Sequence, residues 1–116
     1  KTNVTNTGTS ATPLVASGVL AQADELLVAI MAQDLVATTL TPDPTYVEIG
    51  ENENNITGQA YNAQDKIVAT TASDQADWTL SPAANWSALL ASFKATAVGT
   101  VVKDLIGGSG IVPFAR

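Results

Sequence analysis

The groups in this chain that could do chemistry are almost all carboxylates: Asp24-Glu25, Asp43, Glu48, Glu51, Glu53, Asp74 and Asp77. Two carboxyls at a set separation can act as general acid and base, and several together can offer a hard cation the oxygens it needs. The set Asp43, Glu48, Glu51 and Glu53 lacks the alternate-residue spacing of a calcium loop, so solvated turn charge is the plainer reading. The chain contains neither histidine nor cysteine. That removes Ser-His-Asp and Cys-His nucleophiles, zinc held by His or Cys, thiolate chemistry and disulfides. A carboxylate-only or Ser-Lys mechanism survives as a formal possibility. The expectation is a protein that is not an enzyme, with no catalytic residue, no cofactor and no metal.

Aromatic side chains are the second chemical resource. Both tryptophans, Trp78 and Trp86, fall in "ADWTLSPAANWSALLASFK", residues 76 to 94, and Tyr46 stands near the middle of the chain. Exposed, these three rings could form a platform on which a sugar stacks. Buried, they would anchor a core, since each removes a large apolar area from water. The spacing favours core anchors on two neighbouring strands, with glycan stacking by Tyr46, Trp78 and Trp86 as the alternative. Three glycosylation triplets, at Asn3, Asn55 and Asn85, are close to chance in a chain so rich in Asn and Thr.

The chain has 116 residues and a net charge of −6. This length makes one domain, able to bury about 65% of its unfolded surface and so to fold without staples. The acidic balance would repel a phosphate backbone, which disfavours nucleic acid. The longest apolar run, "ELLVAIMAQDLVATTL", is broken by Gln33 and Asp34, so no membrane span is expected. The chain starts at Lys1, so a leader or initiator methionine could have preceded it.

The elements that must position these groups read as strands. Residues 1–13, "KTNVTNTGTSATP", are Thr-rich and suit an N-terminal arm or edge strand. "LVASGVL" at 14–20 suits a first core strand. The run within residues 24–35 fits a strand buried on both faces, or a short buried helix; the β-branched residues that follow favour strand. "TPDPTY" is a proline loop. "YVEIG" alternates, with Tyr46, Glu48 and Gly50 on one side, and "ENENN" at 51–55 predicts a hairpin turn. A strand of small residues follows. "ADWTLS" and "NWSALLASFK" then form two adjacent strands joined across Ser81-Pro82-Ala83-Ala84. In the second of these, Trp86, Ala88, Leu90 and Ser92 point one way. Short strands about 10 residues apart with turn residues between them signal a sandwich or barrel. The fold class expected is all-β, an antiparallel β-sandwich spanning 14–95 with extended arms at 1–13 and 96–116.

The C-terminal arm ends in "GGSGIVPFAR", where Ile111, Val112, Pro113 and Phe114 follow a flexible hinge. Such a tip either folds back on its own sandwich or docks on a neighbouring subunit, with Arg116 able to pair with acidic surface there.

"QADELLVAIMA", "TPDPTYVEIGE" and "NWSALLASFKA", in that order, resemble a jelly-roll-like β-sandwich module of tailed-phage virion proteins, also seen in bacterial surface proteins. The likeness covers roughly residues 4 to 95. Ala23 stands where glycine is usual, and Tyr46-Val47 replaces a Gly-Trp or Gly-Phe pair. The resemblance implies a structural virion protein, a capsid decoration (cement) protein or a fibre part. Its partners would be the major capsid protein and neighbouring copies of itself in a homo-oligomer, a trimer among the options, on the capsid surface. The alternative is a glycan-binding or adhesive module of a fibre or of an extracellular, cell-surface protein. The resemblance brings no catalytic residues with it.

Overall fold

Period-two alternation of burial runs through almost every segment, and it builds eight strands and no helix among the described residues. The computed structural model describes residues 3–34, 39–54 and 59–95. The strands are β1 (Asn3–Ser10), β2 (Leu14–Ala16), β3 (Glu25–Gln33), β4 (Thr39–Pro42), β5 (Val47–Asn54), β6 (Gln59–Val68), β7 (Gln75–Ser81) and β8 (Ala84–Phe93). They form a five-stranded sheet in the order β1-β8-β3-β6-β5 and a three-stranded sheet in the order β2-β7-β4. All pairings are antiparallel. The sequence's C-terminal arm, residues 96–116, lies outside the described residues, as does the triplet at Asn55.

The nested pairings β1·β8, β2·β7 and β3·β6 are those of a long hairpin wrapped into a jelly roll. The remaining pair of a regular roll would be β4 with β5. Here β5 joins β6 instead, which gives sheets of five and three strands. The fold is therefore an all-β, jelly-roll-like antiparallel sandwich. The Thr-rich N-terminal residues form β1, the edge strand beside β8.

Between the sheets lie Leu27, Ala29 and Met31 of β3, Ala76, Trp78 and Leu80 of β7, and Trp86, Ala88 and Leu90 of β8. Trp78 is 1% exposed and Trp86 9%. The two tryptophan strands are consecutive but not neighbours: β7 is the centre of the small sheet, whereas β8 lies in the large one. The chain crosses the sandwich at Ser81-Pro82, a cis peptide. The expectation of two adjacent strands is corrected here, because each ring faces the core from its own wall. Gly8 makes room for Trp86: a Cβ there would come within 3.0 Å of the ring.

Two further expectations change. "ENEN" is not a turn, since β5 runs on to Asn54. A bulge between Glu48 and Gly50 sets Glu48 opposite Gln64 and Gly50 opposite Ala63, on opposite faces of the sheet. An edge strand tolerates such polar residues and such a bulge because only one of its sides must pair. β3, read as buried on both faces, is buried on one. Its inward residues are covered, while Ile30 on the other face is 42% exposed.

Candidate functional site

Four of the carboxylates, Glu25, Asp43, Glu48 and Asp74, are hydrogen-bonded within the architecture. Glu25, 1% exposed at the start of β3, accepts hydrogen bonds at Oε1 from the backbone N–H of Ala21 (3.0 Å) and Gln22 (3.1 Å). Asp24, just before it, has φ of +59°, a left-handed conformation that Asp tolerates better than most residues. Burial alone would raise the Glu25 pKa. The Ser92 hydroxyl, the two N–H groups and the charge of Lys94 outweigh it, and the carboxyl is held below its ordinary value. Its contribution to stability is therefore complete above the unfolded value of 4.5 and is lost as pH falls through the lower folded value. Thermal melts at pH 7, 4.5 and 3 should show a shallower acid decline for Glu25→Gln than for the native chain. Parallel acid limbs would contradict this role.

Asp43 Oδ1 accepts from the Thr45 amide (2.7 Å) and hydroxyl (2.8 Å), closing the proline loop on itself. Glu48 Oε2 accepts from Asn62 Nδ2 (2.8 Å). Asp74 receives the Tyr46 hydroxyl (2.9 Å) and pairs with Lys66 Nζ (2.9 Å). Among the described residues no group of three or more acidic side chains is placed to hold a metal ion. Glu51 is exposed, and the Glu53 side chain lies outside the described residues.

Tyr46, Trp78 and Trp86 are buried, at 7%, 1% and 9% exposure, so none presents the open ring face that sugar stacking requires. Trp78 Nε1–H donates to Asn62 Oδ1 at 2.9 Å, a bond that joins β7 to β6 across the core. Asn62 and Gln64 are both fully buried. Sequence reading missed this polar bridge. Its one local signal is the alternation of Ala60, Asn62 and Gln64 on the inward face of β6.

Two surfaces remain open. The first is the outer face of the large sheet. Strand register sets Phe93, Leu26 and Ile67 in one row, then Ala91, Val28 and Asp65, then Leu89, Ile30 and Ala63, then Ser87, Ala32 and Tyr61. Phe93, Ile67, Leu89, Ile30 and Tyr61 are 41 to 68% exposed. Asp65 is the one charged residue in those four rows. Thr5 and Thr7 of β1 border them on one side and Asn52 of β5 on the other. A continuous apolar patch of this kind marks a contact surface on a folded protein.

The second is an open groove of about 610 Å3 at one end of that face, bordered by Asp34, Asn52, Gln59, Tyr61, Asn85 and Trp86. Asn85 donates to Asp34 Oδ2 at 3.0 Å and accepts from the Thr9 hydroxyl, which fixes both polar groups at the rim. Tyr61, which sequence reading did not single out, is the exposed aromatic here. Compared with protein-family models, curated proteins and solved structures, the chain matches none.

Proposed function

We propose that this domain is a structural protein of a virion, a phage capsid decoration (cement) protein that binds the coat shell and stabilises it. The observation that carries the reading is the outer face of the large sheet: a broad apolar surface with a polar rim, built to be covered by protein. The resemblance of "QADELLVAIMA" and "NWSALLASFKA" to phage virion modules supports the same reading. Repetition over a shell lets individually weak contacts act together through effective concentration. The C-terminal residues Ile111, Val112, Pro113, Phe114 and Arg116 would extend the contacts to the major capsid protein.

A second reading, a glycan-binding module, is favoured by the groove at Tyr61, where an exposed ring stands among amides and one carboxylate. Co-sedimentation with phage shells lacking this protein separates the two. The full chain should saturate a fixed number of sites per shell, and a chain truncated after Lys94 should not. If neither binds, the decoration reading falls. Binding to a glycan array that Tyr61→Ala abolishes would then establish the second.

A further inference from the structure

We propose that the groove at Tyr61 binds an uncharged oligosaccharide, read through its hydroxyl groups and stacked on that ring. This rests on the second reading above, a glycan-binding groove, and it names the class of sugar.

Strand register gives the groove a floor, a wall and a rim. Ser87 of β8 and Ala32 of β3 are neighbours on the outer face, and Tyr61 of β6 stands beside Ala32. Two small side chains next to a large ring leave a trough with an aromatic wall. Tyr61 is 45% exposed, unlike the three rings that anchor the core. Asn52 of β5 flanks it on the far side. Two residues further along their strands, on the same face, come Asn85, Asp34 and Gln59, all exposed. The volume of about 610 Å3 lies within the roughly 300–1,000 Å3 of small-molecule sites.

The direction of the hydrogen bonds at the rim selects the ligand's chemistry. The Thr9 hydroxyl donates to Asn85 Oδ1, and Asn85 Nδ2 donates to Asp34 Oδ2 at 3.0 Å. The Asp34 backbone N–H donates to the Asn85 carbonyl at 3.2 Å. Asn85 thus holds Asp34 through side chain and backbone, and a carboxylate fixed before binding has little freedom left to lose. Asp34 Oδ1 is left as an acceptor. An ionised carboxylate only accepts, so the group that meets it must donate. The amides of Asn52 and Gln59 both donate and accept, as hydroxyls do. A pyranose supplies what this arrangement asks for: hydroxyls around its edge and a face of C–H groups that lies against an aromatic ring.

Charge narrows the class. Among the described residues the lysines are Lys66 and Lys94. Lys66 lies on the opposite face of β6, paired with Asp74. Lys94 follows the far end of β8, about 30 Å along the strand from Asn85. A sugar bearing a carboxylate or sulfate would therefore meet Asp34 with no cation beside it, and like charges set together reject a partner. The net charge of −6 acts in the same direction.

Nuclear magnetic resonance titration of the full chain tests this with two sets of probes. One set is uncharged: oligosaccharides of glucose, galactose, mannose and N-acetylglucosamine. The other is anionic: sialyllactose and trigalacturonic acid. An uncharged probe should move the amide signals of Ala32, Asp34, Tyr61 and Ser87, and the anionic set should leave them in place. Tyr61→Ala should weaken that binding about 10-fold through the lost stacking. Asp34→Asn, which keeps the shape of the side chain and removes its charge, should weaken it by about the same factor. Both positions are exposed, and unchanged signals elsewhere in the spectrum confirm that each variant folds. Anionic probes that bind at these residues, and bind more tightly to Asp34→Asn, overturn the inference and leave the glycan reading standing. No shift with any probe, or shifts only elsewhere in the chain, overturns both. An uncharged probe whose binding neither variant weakens overturns the roles of Tyr61 and Asp34, and the inference with them.

Discussion

Trp78→Ala should cost about 3–5 kcal/mol of folding stability, the largest loss expected from a single substitution among the described residues. The ring is 1% exposed at the centre of the small sheet, and its replacement leaves a cavity that two facing sheets cannot collapse to fill. It also strands Asn62 Oδ1, which receives the indole N–H at 2.9 Å in a fully buried position. Against a total stability of about 5–15 kcal/mol, such a loss brings the domain close to unfolding at 37 °C. Thermal melts should drop by about 12–20 °C, at about 4 °C per kcal/mol for a domain of this size. Asn62→Ala should cost about 1–3 kcal/mol by leaving the indole donor without its partner. The double variant should lose less than the sum, because each single change already breaks the shared bond. A Trp78→Ala chain melting within about 4 °C of the native one would remove Trp78 as the anchor between sheets.

Strand β8 was legible in the sequence because its inward residues, Trp86, Ala88, Leu90 and Ser92, obey a strict period of two that local reading detects. The pairing of that strand was not, since nothing in "SPAANWS" says whether the chain turns back in the same sheet or crosses to the other one. The same limit explains β3. Its apolar residues on both faces read as burial on both, but only one face is covered by the three strands of the small sheet. Here the apparent error points to the candidate site, because the uncovered apolar side is the face proposed above as a contact surface. β5 was missed beyond Gly50 because "ENEN" has low strand propensity and is held by its partner β6 rather than by its own preference. Glu25 and Asn62 escaped for a related reason. A polar residue on an inward face is explained only by its partners, and those of Asn62 lie 14 and 16 residues away, at Glu48 and Trp78. The groove was invisible because it gathers the end of β3, the neighbouring ends of β5 and β6, and the start of β8, three stretches far apart in the chain.

Asp74→Ala should be the most damaging change outside the apolar core, at about 2–3 kcal/mol. Asp74 precedes β7 and clamps three parts of the chain. One carboxylate oxygen accepts from the Tyr46 hydroxyl and the other pairs with Lys66, both at 2.9 Å, while its backbone N–H donates to Ser17 Oγ at 3.0 Å. Without the carboxylate, Lys66 keeps only the Thr45 hydroxyl at 3.3 Å and the Tyr46 ring face at 5.1 Å. The pair is partly open to solvent, at 27% and 18% side-chain exposure, so the cost stays below that of breaking a fully buried one. Tyr46 gives this cluster a signature in pH. Burial, then the hydrogen bond to Asp74 and its charge, raise the phenol well above its ordinary value of 10.0. The folded state thus keeps a proton that the unfolded chain releases. Its stabilising effect is whole below pH 10 and is lost as pH rises from there toward the raised folded value. Urea midpoints taken between pH 7 and 11 should fall steeply at the alkaline end for the native chain, by up to about 1.4 kcal/mol per pH unit from this group. Tyr46→Phe should cost about 1 kcal/mol at pH 7 for the lost hydrogen bond and should flatten that alkaline limb. An alkaline limb equally steep in Tyr46→Phe would assign the decline to other groups and leave Asp74 as a clamp for Lys66 alone.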